Sequence, residues 1–144
     1  MRSFDVQSIE LACDYERAFH YISMPENLVE WTAFFKSVQN GRATILTPDG
    51  ELEIGLEVKA NQSVGNVDWF MTMPDGAEGR AFSRLVPNRP HSTIYTFILL
   101  APPVPLEKLE GTLQQQVGIL REELAQLNRI LEKLPGPRIK SSNP

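Results

Sequence analysis

The sequence predicts an α+β fold in which a curved antiparallel sheet wraps around one long C-terminal helix. The chain opens with the pattern of a strand and two short helices, which ends in Pro25-Glu-Asn-Leu-Val-Glu-Trp31, and it closes with a long amphipathic segment that ends at Leu134. Between these two ends the hydrophobic pattern is almost entirely that of strands. A sheet that curves around a helix tends to leave a cavity between the two, so this arrangement suggests a container for a small molecule.

The opening pattern predicts one strand and two short helices. Phe4 to Ala12 is predicted to be the strand, and Asp14 is suited to cap the helix that follows. In that helix the apolar residues recur at helical spacing: Tyr15, Ala18, Phe19 and Ile22. Ser23 and Glu26 have the spacing of a capping box, and this predicts a second short helix that ends near Trp31.

The middle of the chain predicts a series of strands joined by tight turns. The clearest strand carries apolar residues on one face and charged residues on the other, the apolar ones being Leu52, Ile54, Leu56 and Val58. Pro48-Asp49-Gly50 and Pro74-Asp75-Gly76 predict hairpin turns. Three later strands are predicted at Asn66 to Met73, Ala81 to Val86 and His91 to Ala101. With the first strand and the one from Thr44 that the Pro48 hairpin implies, this gives about six strands in all.

The C-terminal segment predicts a helix whose apolar residues form one stripe: Leu109, Leu113, Val117, Leu120, Leu124, Leu127, Leu131 and Leu134. Packing of this stripe on the sheet is expected, and a coiled-coil seam in a homodimer is the alternative. Gly111 and Gly118 weaken a helix, so each is expected to mark a close approach of a strand, a ligand or a second subunit. Pro135-Gly136-Pro137 ends the helix, and we expect a single domain over 1–134 and a disordered tail over 135–144.

The composition limits the classes of function that are expected for this chain. A chain of 144 residues with 42% hydrophobic content can bury the core of one domain. Cys13 is the single cysteine, and neither a signal peptide nor a membrane span is expected, so the cytoplasm is the predicted location. A net charge of -4 with scattered basic residues argues against nucleic acid as a partner.

The sequence resembles the START/Bet v 1-like (SRPBCC) superfamily, and in particular its polyketide cyclase/dehydrase and lipid-transport group. The resemblance rests on Ser8-Ile-Glu-Leu-Ala-Cys-Asp-Tyr-Glu-Arg-Ala-Phe-His-Tyr-Ile22, on Pro25 to Trp31 and on the terminal helix, and it covers about residues 3 to 134. It implies a helix-grip fold, in which seven antiparallel strands and the C-terminal helix enclose a mostly apolar pocket. One strand is then missing from our count, and we expect it near Phe35 to Asn40. No catalytic signature of the family is found at matching positions.

The predicted ligand site is aromatic, aliphatic and sulfur-rich, as suits an apolar ligand. Trp31 is expected at the pocket mouth, and the site residues are predicted to be Trp31, Phe35, Ile54, Leu56, Trp69, Met71, Phe82, Tyr95, Phe97, Leu113, Val117 and Leu120. Each of them suits an ordinary core equally well. Arg84 shares a strand face with Phe82, so an inward Arg84 would need an anionic partner, whereas an outward one would simply be solvated.

Three functions follow as hypotheses. The first is binding or carriage of a lipid, a quinone or a polyketide-like aromatic compound. The second is a cyclase or dehydratase in which Arg84 and Tyr95 orient a polar substrate, and the third is a protein-interaction module, which a large exposed apolar patch would indicate. No cofactor and no metal site are expected, because His20 and His91 are isolated and the chain has no glycine-rich phosphate loop. Cys13 is not expected to act as a nucleophile.

Overall fold

A computed structural model of the chain describes residues 3–101 and 106–134, although side chains are described only from Leu113 onward in the second range. It shows one antiparallel sheet in the order β1-β7-β6-β5-β4-β3-β2. The strands are β1 (Phe4–Leu11), β2 (Phe35–Gln39), β3 (Arg42–Thr47), β4 (Gly50–Asn61), β5 (Asn66–Thr72), β6 (Glu78–Arg89) and β7 (Ser92–Leu100). The helix-grip architecture is confirmed, and β2 is the seventh strand that was expected near Phe35.

Two short helices follow β1, as predicted. Helix α1 (Tyr15–Ser23) begins at Asp14, whose carboxylate accepts a hydrogen bond from the backbone N–H of Arg17. A 3₁₀ turn over Pro25–Asn27 leads into α2 (Leu28–Trp31). The predicted capping box was wrong: no side chain caps this turn, and the Ser23 hydroxyl donates instead to the carbonyl of His20 at 3.4 Å. Proline at the start of the turn supplies the required φ angle without a side-chain cap.

The two predicted hairpins join β3 to β4 and β5 to β6. Gly50 and Gly76 have φ angles of +115° and +90°, in the left-handed region that glycine adopts without a steric penalty. In the second turn the backbone N–H of Met73 donates to the carbonyl of Ala77 at 2.8 Å. These turns fix the register of the neighbouring strands, and with it the side chains that point toward the helix.

Helix α3 (Leu106–Glu132) lies along β1 and runs in the same direction. The carbonyl of Val117 accepts a hydrogen bond from Gln7 at 2.9 Å, and farther along the helix Asn128 accepts one from the backbone N–H of Ala12, also at 2.9 Å. The helix therefore begins beside the start of β1 and ends beside α1. The buried side chains of its stripe within the described part are Leu113, Leu120, Leu124, Leu127 and Leu131.

The stripe packs on the molecule's own sheet and short helices, as expected from the sequence. Two features of the predicted helix lie outside the described side chains, namely Leu109 and Gly111. Gly118 does not mark a close approach, because a Cβ atom placed there would have no heavy atom within 4 Å. The predicted tail at 135–144 lies outside the described residues, and the division into one domain and a tail stays a prediction.

Candidate functional site

The concave face of the sheet carries the candidate site. Strand alternation directs three side chains of β5 toward the helix side, of which Val67 and Trp69 are buried and Met71 is half-buried, and Met73, directly after the strand, is half-buried as well. On β4 the same face carries Ile54 and Leu56, which are both buried. The inward residues are thus aliphatic, aromatic or thioether side chains over most of this face, a composition that suits apolar ligands.

The interior is closed at one end and reaches solvent at the other. Toward α1, buried Leu11, Leu85 and Leu127 fill the space. At the opposite end, where α3 begins, the inward side chains are half-buried: Ile45, Leu52, Met71, Met73 and Leu99. Solvent therefore reaches the inward side chains from the end at which α3 begins.

Strand β6 carries small side chains beneath two large aromatic rings. Its inward residues next to these rings are Gly79, Ala81 and Ser83, and the larger Leu85 follows on the same face toward α1. Trp69 on β5 and Phe97 on β7 stack with ring centroids 5.6 Å apart, although β6 lies between their strands. Neighbouring strands are spaced by about 4.8 Å, so the rings can meet only because the side chains beneath them are short.

Phe82 and Arg84 do not belong to this face. Both alternate with the buried residues Ala81 and Ser83, so they point to the outer face, where Arg84 is exposed and Phe82 is half-buried. The Phe82 ring packs edge-on against Phe70 at 5.9 Å. The prediction of Phe82 as a pocket residue is therefore wrong, and so is the alternative of an inward Arg84. The solvated Arg84, which was the other alternative, is the one observed.

Tyr95 lies on the inward face of β7 and is fully buried. Burial raises the pKa of its hydroxyl, the nearby Ser83 partly offsets this effect, and the Asp68 carboxylate adds to it. The Ser83 hydroxyl donates to the carbonyl of Val67 at 2.6 Å, and the Tyr95 oxygen is buried without a hydrogen-bond partner. Tyr95 therefore presents a protonated, buried hydroxyl without a partner.

The indole N–H groups of two tryptophans are also buried without a hydrogen-bond partner. Within the described residues, the buried side-chain polar atoms that lack a hydrogen-bond partner are Arg17 Nη1, Trp31 Nε1, Trp69 Nε1 and Tyr95 Oη. An unsatisfied buried donor costs roughly 1–3 kcal/mol, and native structures contain few of them. Three of these four atoms belong to residues that the sequence predicts for the ligand site, namely Trp31, Trp69 and Tyr95.

Other inward polar groups are satisfied. The Thr93 hydroxyl donates to the carbonyl of Cys13 at 2.8 Å. Gln7, next to the helix, donates to a carboxylate oxygen of Asp5 at 2.9 Å as well as to Val117. Asp5 itself is only 5% exposed, so a buried carboxylate is part of this face. Burial also raises the pKa of the Cys13 thiol, which disfavours the thiolate.

Trp31 lies where α2 packs against α3. It is buried on α2 and borders a surface groove of about 530 Å³ between α2 and α3, together with Ala33, Gly118 and Ile119. The Glu123 carboxylate closes one side of this groove and accepts a hydrogen bond from the backbone N–H of Ala33 at 2.7 Å. Burial raises the pKa of Glu123, and the hydrogen bond from Ala33 partly offsets the shift.

The remaining predicted site residues lie around the interior. Phe35 is half-buried on β2, Leu113 and Leu120 are buried on α3, and the Val117 side chain is half-buried. Gly79, Ala81 and Ser83, the small residues beneath the two stacked rings, were not predicted from the sequence. Their alternation within β6 is the available signal, but side-chain size favours the large ring of Phe82 on the opposite face.

Comparisons with known proteins agree on the fold. A START superfamily protein from Mycobacterium smegmatis superimposes with a TM-score of 0.61 at 15% identity, and the match covers 90% of this chain and 99% of that one. Protein CV1439 from Chromobacterium violaceum gives 0.68 at 12% identity, over 92% of this chain and all of the other. The di-domain ARO/CYC BexL from the BE-7585A biosynthetic pathway superimposes with a TM-score of 0.72 at 14% identity. That match covers 95% of this chain and 48% of BexL, so this chain spans about half of BexL.

The protein therefore has the helix-grip fold of START-like and polyketide cyclase-like proteins, and the resemblance found in the sequence is confirmed at the level of the fold. No protein-family model matches the sequence. No curated protein matches it either. Among the described helices, none is long and apolar enough to cross a membrane.

Proposed function

We propose that the protein binds or carries an apolar small molecule, namely a lipid, a quinone or a polyketide-like aromatic compound, between the sheet and α3. The observation that carries this proposal is the half-buried end of the concave face. There, Met71, Met73, Leu52 and Leu99 present carbon and sulfur to a region that solvent can reach. Methionine side chains adapt to ligands of different shape at small cost.

The charges of the sheet support an uncharged ligand. Every lysine and arginine of the seven strands is exposed: Lys36, Arg42, Lys59, Arg80, Arg84 and Arg89. An anionic ligand in the interior would lack a basic side chain from the sheet, and it would lie on the same face as the Asp5 carboxylate. A cytoplasmic site of action stays a prediction that rests on the single free cysteine.

One observation supports the cyclase or dehydratase hypothesis, and another weakens it. The name of BexL describes an ARO/CYC protein, and its fold is shared with this chain. Arg84, however, is exposed on the outer face and cannot orient a substrate in the interior. Of the two predicted catalytic candidates only Tyr95 faces inward, so the binding function is better supported.

The test of the binding function is native mass spectrometry of the protein from its own source, followed by organic extraction and identification of the extract. A thermal-shift panel of lipids, quinones and polyketide mimics accompanies it. Met71 and Thr72 provide a matched pair of variants, because they are adjacent on β5 and point to opposite faces. Met71→Gln should weaken binding several-fold, and Thr72→Gln should leave it unchanged. An empty protein that no compound stabilises would contradict the proposal.

A specific observation also favours an interaction role, including a homodimer. Val6, Ile98 and Phe82 are paired in register across β1, β7 and β6 on the outer face, and Val6 is 49% exposed. Exposed apolar rows of this kind occur at protein interfaces. Sedimentation velocity of Val6→Lys against the unchanged protein tests this role: a shift from dimer to monomer would support it, and a monomer in both samples would remove the homodimer.

A further inference from the structure

Trp69 and Tyr95 bring two buried, unpartnered donors to the same part of the interior. The Trp69 ring stacks on Phe97 at 5.6 Å between centroids, and the Tyr95 ring meets the same Phe97 edge-on at 6.3 Å. Trp69 is 3% exposed and Tyr95 0% exposed, and neither Nε1 nor Oη has a hydrogen-bond partner. Both side chains face inward and contact the same Phe97 ring, so acceptor oxygens of a ligand in this part of the interior would satisfy these donors.

The kind of acceptor follows from the donors themselves. Indole N–H can only donate, and a tyrosine hydroxyl whose pKa is raised by burial stays protonated and donates as well. Both donors are neutral, and the basic residues of the sheet are exposed. A neutral oxygen with two lone pairs therefore fits better than a carboxylate or a phosphate, which would need a compensating cation.

The shape of the surroundings favours a flat ligand. The Trp69 and Phe97 rings are inclined by only 27° and lie over the short side chains of β6. Beside them, the Met71 Cε atom lies 3.4 Å from the position of a Cβ atom built on Gly79. This contact is made by the far end of a flexible side chain, which can rotate away and open space over a residue that has no side chain of its own.

We propose that the ligand of this site is a flat, neutral ring compound with carbonyl groups on the ring, such as a quinone or an aryl ketone, and that carbonyl oxygen accepts the hydrogen bonds that Trp69 Nε1 and Tyr95 Oη lack. This inference rests on the proposed binding function and narrows it. It selects carbonyl-bearing rings over aliphatic lipids and over aromatic hydrocarbons of the same size.

The test compares duroquinone with durene, which has the same methylated six-membered ring without the carbonyl oxygens. Duroquinone carries a methyl group at every free ring position, so the Cys13 thiol has no open position to attack. The chain has two tryptophans, so ¹H–¹⁵N spectra show two indole N–H signals, which Trp31→Phe and Trp69→Phe assign. Duroquinone should move the Trp69 signal downfield, as expected for a donor that gains an acceptor, and durene should not.

Tyr95→Phe tests the second donor, with Tyr15→Phe as the matched control because the Tyr15 hydroxyl donates to the carbonyl of Gln62, away from the interior. Tyr95→Phe should weaken duroquinone about tenfold, the loss expected for one hydrogen bond, and should leave durene unchanged. Tyr15→Phe should change neither affinity.

The outcomes separate this inference from the binding function. If duroquinone and durene bind equally, or if a lipid binds while neither ring compound does, the carbonyl inference is overturned and the binding function stands. If no compound of the wider panel binds and nothing is extracted with the protein, both fail. Equal loss of duroquinone affinity in Tyr95→Phe and Tyr15→Phe would also overturn the inference, because the effect would not come from the interior hydroxyl.

Discussion

The unpartnered hydroxyl of Tyr95 makes a prediction about stability that needs no ligand. Tyr95→Phe removes an oxygen that is buried without a hydrogen bond, and Thr93→Val removes one that donates to the carbonyl of Cys13 at 2.8 Å. Both residues are 0% exposed, and they lie two positions apart on the inward face of β7. The two substitutions should therefore change the free energy of unfolding in opposite directions.

The magnitudes follow from what each oxygen contacts. Removal of the Tyr95 oxygen relieves a desolvation penalty of roughly 1–3 kcal/mol and forfeits a few dispersion contacts of about 0.1–0.2 kcal/mol each. We expect Tyr95→Phe to stabilise the ligand-free protein by about 1 kcal/mol. Thr93→Val keeps the shape of the side chain but leaves a buried carbonyl unpaired, so we expect it to destabilise the protein by about 2 kcal/mol.

Urea unfolding followed by tryptophan fluorescence measures both changes. With a slope of about 2 kcal/mol per molar urea, the midpoint should rise by roughly 0.5 M for Tyr95→Phe and fall by roughly 1 M for Thr93→Val. The slopes should stay equal to that of the unchanged protein. If Tyr95→Phe loses as much stability as Thr93→Val, the Tyr95 hydroxyl has an internal partner, and the reasoning that reserves it for a ligand is refuted.

Two further predictions concern α3 and the turn before β5. Gly118→Ala should stabilise the protein by about 1 kcal/mol, because the added methyl group meets open space. Gly65→Ala should destabilise it, since φ is +93° and the new Cβ would lie 2.2 Å from the carbonyl oxygen of Leu85. Thermal unfolding of both variants measures these changes, and loss of stability in Gly118→Ala would contradict the prediction. The raised pKa of Glu123 means that the folded state binds its proton more readily than the unfolded state, so stability relative to Glu123→Gln should increase as pH falls from 7 toward about 4.3. Urea midpoints across this range measure the difference, and Glu122→Gln on the exposed side of α3 is the control; a difference that does not vary with pH would contradict the prediction.

The fold was predictable because its signals are local and repeated. Alternation in β4, the two proline-glycine turns and the leucine stripe of α3 each depend on residues close in sequence, and all three favour the same architecture. The capping box at Ser23 was predicted wrongly because two motifs compete there. Pro25 starts a 3₁₀ turn that needs no side-chain cap, and the serine hydroxyl bonds back to α1 instead.

The site was predictable only in part, because the direction of a strand face is not local. The alternation of Ala81 to Val86 distinguishes two faces, but it does not say which one turns toward the helix. That choice depends on pairing with β5 and β7, which places Ala81 opposite both Trp69 and Leu99. Side-chain size favoured Phe82 as the inward residue, whereas packing required small residues beneath the Trp69 and Phe97 rings.

Trp69 and Tyr95 are suited to binding a carbonyl group but not to acting as catalytic bases. They can hold a carbonyl group, but they cannot take a proton from the carbon beside it, because indole offers no acceptor and the Tyr95 hydroxyl remains protonated. Aldol or elimination chemistry needs a base within reach of that carbon. The buried carboxylate of Asp5, which accepts a hydrogen bond from Gln7 beside α3, lies on a different strand, β1. Carriage of a carbonyl compound therefore requires only groups that the interior presents, whereas catalysis would require a base that Tyr95 and Trp69 do not supply.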